Sequence, residues 1–117
     1  ASEVRLACGE RKAGFLDLTF RVLAAEERRH MLRCLRAAEG AVSIIELSEM
    51  VAARKETLTE EAGDATEGVY LALYHNHIPE MAEMGVIEVN RERETVVLTE
   101  RAYPLIEILE AAESLWT

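Results

Sequence analysis

Two short runs rich in β-branched residues, Val86 to Val89 and Thr95 to Thr99, flank the polar stretch Asn90-Arg91-Glu92-Arg93-Glu94. Elsewhere the apolar residues recur at intervals of three and four, the spacing of helices that each bury one side. β-Branched side chains fit a pleated strand, and polar residues between two such runs mark a hairpin. The chain is therefore expected to be mainly α with a small β-hairpin.

The helical pattern begins at Phe15. Phe15, Leu16, Leu18 and Val22 or Leu23 line an apolar side, and Met31, Leu32 and Leu35 carry it on towards Gly40. The stripe loses register between Ala24 and Glu26, where a break fits. Residues 1–14, with Gly9 and Gly14 among scattered charges, read as a partly ordered N-terminal arm. Ser43 with Glu46 three residues on has capping-box spacing, so a second helix starts there and runs to about Lys55. Thr57 to Ala65 is acidic and turn-like. Asp64 or Thr66 can cap a third helix, in which Val69, Tyr70, Leu73, Tyr74, His77, Ile78, Met81 and Met84 share a side and Gly85 is the terminating glycine. Pro79 lies inside it, lacks the N–H that would reach the carbonyl of His75, and predicts a bend. After the hairpin, a last helix carries a stripe that is apolar except at Glu113.

With no internal repeat and no Pro/Gly linker, the chain of 117 residues reads as one domain over residues 15–101, followed by a last helix over 102–117. Half of the residues are apolar, enough for a core without disulfide or metal. The absence of a spanning apolar stretch or a leader pattern predicts a soluble cytoplasmic protein with no membrane partner. Cys8 and Cys34 lack the spacing of a disulfide framework or zinc site and read as one buried and one loosely held thiol. Arg33 and Arg36 flank Cys34 in sequence but do not share its helix face, which argues against redox sensing.

Net charge is −9, from 13 basic and 22 acidic residues. Residues 1–40 hold 8 basic against 6 acidic groups, whereas residues 41–100 hold 4 against 13. Any anion-binding surface is thus expected to recruit the N-terminal third. Among the basic residues 11 are Arg and only 2 are Lys, a surface that resembles those of proteins from haloarchaea.

Three helices followed by a hairpin describe a winged helix, with helices two and three as the helix-turn-helix and the hairpin as the wing. Residues 73–87, LYHNHIPEMAEMGVI, resemble the junction between recognition helix and wing in ArsR- and PadR-type regulators. Together with LAAEERRHMLR at 23–33 and LTERA at 98–102, the chain is similar to a haloarchaeal winged-helix family. The resemblance implies transcriptional regulation on double-stranded DNA.

It also implies base-reading side chains on the exposed face of the third helix, where Ala72, His75, Asn76 and Pro79 fall, with Leu71 and Gly68 nearer its start. Asn can bond adenine bidentately, and His can donate to a purine or a phosphate. No Lys or Arg occurs between Asp64 and Asn90. Positive charge is therefore expected from Arg28 and Arg29, from Arg54 and Lys55, and from Arg91 and Arg93 in the wing, where an arginine can enter the narrow minor groove. Cations bound from solution are expected to bridge carboxylates and phosphates. His77 falls on the apolar stripe and reads as a hydrogen-bonded near-core histidine. His75 and His77, two apart, face different sides, so a metal site is not expected.

The last helix has an apolar surface in excess of what a three-helix core needs. Ala102, Leu105, Ile106, Leu109, Ala112 and Trp116 are accordingly expected to pair with a second copy, joined by the Phe15 to Val22 segment. No Gly-rich phosphate loop, nucleophile motif or shifted carboxylate pair points to an enzyme or a cofactor. The alternative to a DNA-binding regulator is a winged-helix module that contacts other proteins without binding DNA.

Overall fold

Where the apolar stripe loses register after Leu23, the chain turns and starts a second helix. The computed structural model describes residues 2–56 and 62–116, with side chains for 13–55 and 66–116. α1 spans Ser2–Leu23 and α2 Glu26–Ala38, separated at Ala24 and Ala25. α1 reaches back to Ser2, so residues 2–14, expected as an arm, are the beginning of that helix. The break after Leu23 is stabilised by two arginines of α2, which reach back to the orphan carbonyls ending α1: Arg28 to Arg21 and Val22, Arg29 to Leu23.

β1, Val42–Ser43, precedes α3, Ile44–Glu56. Ser43 Oγ accepts the N–H of Glu46 at 3.0 Å, the cap that the sequence spacing predicts. α4, Ala62–Ala72, begins ahead of both expected caps, Asp64 and Thr66. It continues through a π-helical segment, Leu73–His77, into α5, Ile78–Glu83. That widening is the structure's answer to Pro79. The Ile78 N–H bonds to Leu73 O, five residues back, and the proline follows at the start of α5, where a missing N–H is tolerated. Gly85, at φ +78°, ends α5 with Gly85 N–H on Ala82 O and Val86 N–H on Met81 O, both at 3.0 Å.

β2, Ile87–Asn90, and β3, Thr95–Leu98, form the hairpin, with Val89 opposite Val96. β1 adds to β3 with Val42 opposite Val96, giving a three-stranded antiparallel sheet in the order β1-β3-β2. Two residues leave too little alternation to read in sequence, so this strand was not anticipated. α6 covers Ala102–Trp116.

The core joins Val22, Leu32 and Leu35, Leu47 and Val51, Leu73 and Met81, and Val86 and Val96, each at most 2% exposed. The first half of α6 belongs to it. Ala102, Leu105, Ile106 and Leu109 are at most 3% exposed within a single copy of the chain, which corrects their expected role in dimerisation: their side chains fill the protomer's own core. Arg33 to Glu113 and Arg36 to Glu110 bind α6 to α2. Beyond Leu109 the stripe runs on without cover, with Leu115 and Trp116 about nine-tenths exposed and Ala112 exposed as well.

Candidate nucleic-acid interface

The hairpin tip is held by its own first residue. Asn90 Oδ1 accepts the N–H groups of Glu92 and Arg93, each at 3.1 Å, and Glu94 turns the chain into β3 at φ 53°. A short amide that bonds the backbone two and three residues on is what a tight polar loop requires. Arg91 and Arg93 are exposed on this tip, and neither guanidinium has a partner among the described residues.

Beside the hairpin runs the helix made of α4, the π segment and α5. His75, Asn76 and Pro79 are exposed on it, as are Gly68, Leu71 and Tyr74, while Ala72 is half-buried. Tyr74 stacks on Tyr70 with ring centroids 5.8 Å apart and meets the edge of His75 at 5.3 Å. Asn76 thus presents an uncommitted amide and His75 an imidazole supported by an aromatic neighbour. Between this helix and the inner face of the hairpin lies an open groove of about 950 Å³, with Glu83, Glu88, Glu94 and Arg91 at its rim.

The other cations expected to face phosphate each have partners within the protomer, although Arg54 is exposed. Arg28, whose side chain is 12% exposed, bonds Val22 O at 3.1 Å, Arg21 O at 2.6 Å, Glu80 Oε2 at 3.2 Å and His77 Nδ1 at 3.3 Å. Arg29 bonds Leu23 O at 2.7 Å. Lys55 pairs with Glu27 at 2.8 Å, and Arg54 Nε donates to His30 at 3.2 Å. A guanidinium can satisfy the carbonyls at a helix end as well as it can bind phosphate, and the break at Ala24 and Ala25 supplies those carbonyls. Consequently the basic side chains described in the N-terminal third are all engaged within the protomer: Arg21, Arg28, Arg29, Arg33 and Arg36 each have partners, Arg21 and Arg36 while still exposed.

These bonds converge on one joint between α1, α2, α3 and the long helix. His77 Nε2 meets Glu27 Oε2 at 2.8 Å, so that nitrogen carries the proton, and Nδ1 is left to accept from Arg28. His77 is the hydrogen-bonded near-core residue that its place on the apolar stripe suggests. Burial raises the Glu27 carboxyl, but hydrogen bonds from Lys55 and His77 and the charge of Lys55 hold it below the ordinary glutamate value. The Arg21 hydrogen bond, aided by Arg28, likewise lowers Glu80 against its partial desolvation. Burial pushes the Cys34 thiol up, opposed only weakly by Arg54, which leaves it a poor thiolate. Cys8 lies outside the described side chains.

Among the described residues, no group of three or more His, Cys, Asp or Glu side chains could hold a metal ion, and no helix is long and apolar enough to cross a membrane. Residues 20–97 match the model of a family described as a domain of unknown function, DUF7344. The chain belongs to the DUF7344 family. The matched span opens inside α1 and closes inside β3, so the DUF7344 unit contains both the exposed helix face and the hairpin tip, while α6 lies beyond it. No curated protein and no solved structure matches the chain.

Proposed function

We propose that the chain is a winged-helix DNA-binding protein, a homodimeric transcriptional regulator working in the salt-rich cytoplasm of an archaeon. α3 and the helix α4–α5 form the helix-turn-helix, and the β2–β3 hairpin is the wing. Arg91 and Arg93 carry this reading: among the described side chains they are the two basic groups without a partner, and they sit together on the hairpin tip. Every other described Arg or Lys bonds a carboxylate, a histidine or a backbone carbonyl. Two free guanidinium groups on a narrow protrusion suit insertion into a minor groove, where negative potential is greatest. His75 and Asn76, exposed on the neighbouring helix, supply the base-edge donors and acceptor. Potassium ions between Glu92, Glu94 and the phosphates would moderate repulsion.

Dimerisation falls to the surface the protomer leaves open: Ala112, Leu115 and Trp116 at the end of α6, with Leu16 and Phe20 on α1. Such exposed aromatic and aliphatic side chains are unusual on a monomer.

Binding of the full chain to a random-sequence duplex pool, in low and in molar KCl, tests the proposal. Replacing Arg91 and Arg93 by Ala should weaken binding to every sequence, whereas Asn76→Ala should relax one base position at a cost of about 1–3 kcal/mol. Absence of binding at every salt concentration refutes it.

A further inference from the structure

The groove between the hairpin and the long helix has the wrong charge for a phosphate backbone. Its floor is apolar, formed by Tyr74, Ile78, Pro79 and Ala82 on the helix and by Ile87 and Val89 on β2. Its rim carries Glu83, Glu88 and Glu94 against the single cation Arg91. None of these three carboxylates has a partner among the described residues, whereas Glu27 and Glu80 in the joint behind are each held by two groups. An apolar channel rimmed by free carboxylates complements apolar side chains interspersed with Lys or Arg.

The strand lining the groove selects the conformation of such a segment. Thr99 N–H donates to Val86 O at 3.0 Å, and the register pairs Ile87 with Leu98, Glu88 with Val97 and Val89 with Val96. Hydrogen-bonded pairs alternate along an antiparallel ladder, so Glu88 and Asn90 exchange bonds with β3 while the N–H and C=O of Val89 point away from it. Val89 is half-buried, on the edge strand of the sheet, and lines the groove. An extended segment lying along β2 can bond this peptide group and place alternate side chains on the floor and at the rim.

We propose that this groove is a docking site for an extended segment of a second protein in which apolar residues alternate with Lys or Arg, seated between the hairpin and Tyr74. The proposal does not rest on DNA binding, since the carboxylates Glu83 and Glu88 and the Val89 peptide group that hold the segment have no part in it.

An acetylated, amidated peptide of alternating Val and Lys is the probe, with an alternating Val and Glu peptide as its control. The full chain is titrated with each and followed by amide resonances and by hydrogen exchange. The expected result is saturable binding of the Val–Lys peptide, shifts at Tyr74, Ala82 and Val89, and slowed exchange of the Val89 amide. Glu83→Gln with Glu88→Gln should weaken it about tenfold, two exposed charge pairs acting together. Both side chains are exposed and bond nothing described, so the fold is retained. Val89→Pro, which removes the outward N–H and keeps an apolar side chain on the floor, is the second variant and should weaken binding severalfold. Equal binding of the Val–Glu peptide, no effect of the Gln pair, or no peptide binding overturns the proposal. So does a DNA duplex that shifts these resonances when the peptide does not, for then the groove belongs to the DNA face. Loss of duplex binding with the peptide still bound would remove only the proposed DNA function.

Discussion

Replacing Arg28 by Met separates a cation that builds the fold from one that could meet DNA. Met retains the apolar stem and removes a guanidinium that bonds two carbonyls at the end of α1, the His77 imidazole and Glu80. Each carbonyl bond from a charged donor is worth about 1–1.5 kcal/mol net, because water partly replaces it at a helix end. Stranding His77 Nδ1 costs about 1 kcal/mol more. The pair with Glu80, which is a third exposed and keeps Arg21, adds little. The sum is about 3 kcal/mol, which at this chain length lowers the melting temperature by about 12 °C. Urea unfolding should show the midpoint fall with an unchanged slope, and below the transition the variant should bind a duplex as the parent does. By contrast, Arg91→Ala and Arg93→Ala should alter stability by less than about 0.5 kcal/mol. Arg28→Met losing under about 1 kcal/mol while its duplex affinity drops would refute the assignment and return Arg28 to the surface.

Leu105→Ala or Leu109→Ala should each destabilise the protomer by about 2–5 kcal/mol, since both are buried within one copy, whereas Leu115→Ser with Trp116→Ser should leave the melting temperature near that of the parent and give monomers by light scattering. Acid should unfold the chain through Glu27 and Glu80. Their folded-state values are depressed, so the stability they add is present above the ordinary glutamate value and is lost as pH falls through the folded one; Glu27→Gln should flatten that part of a urea-midpoint profile against pH. Duplex affinity should depend shallowly on salt: the two arginines per copy without a partner among the described side chains, four per dimer, give a logarithmic slope of about −4, and a slope near −10 would mean that other cations reach phosphate.

The order of elements was legible because each rests on a local rule. Ser43 and Glu46 cap α3, Gly85 takes the left-handed conformation that closes α5, and Asn90 turns the hairpin. Pro79 foretold a disturbance, but not its form as π-helix, which depends on how Ile78 and Leu73 find each other once the regular bond is lost. β1 was illegible because two residues hold no period, and its pairing with β3 is a tertiary fact. The exposed candidates His75, Asn76, Arg91 and Arg93 were legible from helix phase and turn chemistry. The partners of Arg28, Arg29 and Lys55 were not legible. Nothing within a few residues of them signals their partners, which come from the end of another helix or lie 28 to 52 positions away in the case of Glu27 and Glu80.

Charge position along a chain therefore says little about which cations remain without a partner when arginine is the main cation. A guanidinium offers five donors in a plane and remains charged when partly buried, so it can close a helix end and bridge carboxylates at once. In residues 13–40 each of Arg21, Arg28, Arg29, Arg33 and Arg36 does one or both. The cations at the hairpin tip stand beside the carboxylates Glu83, Glu88 and Glu94, which bond nothing among the described residues. On the proposed function, a nucleic acid would meet the chain's unpartnered cations, among the described side chains, at that tip, which favours a contact that is narrow, oriented and helped by dissolved cations. A basic polypeptide meets the opposite field, and the groove beside the same tip gives it an apolar floor. Both partners would converge on Arg91, which lines that groove and tops the hairpin, so occupancy by one should exclude the other at that residue.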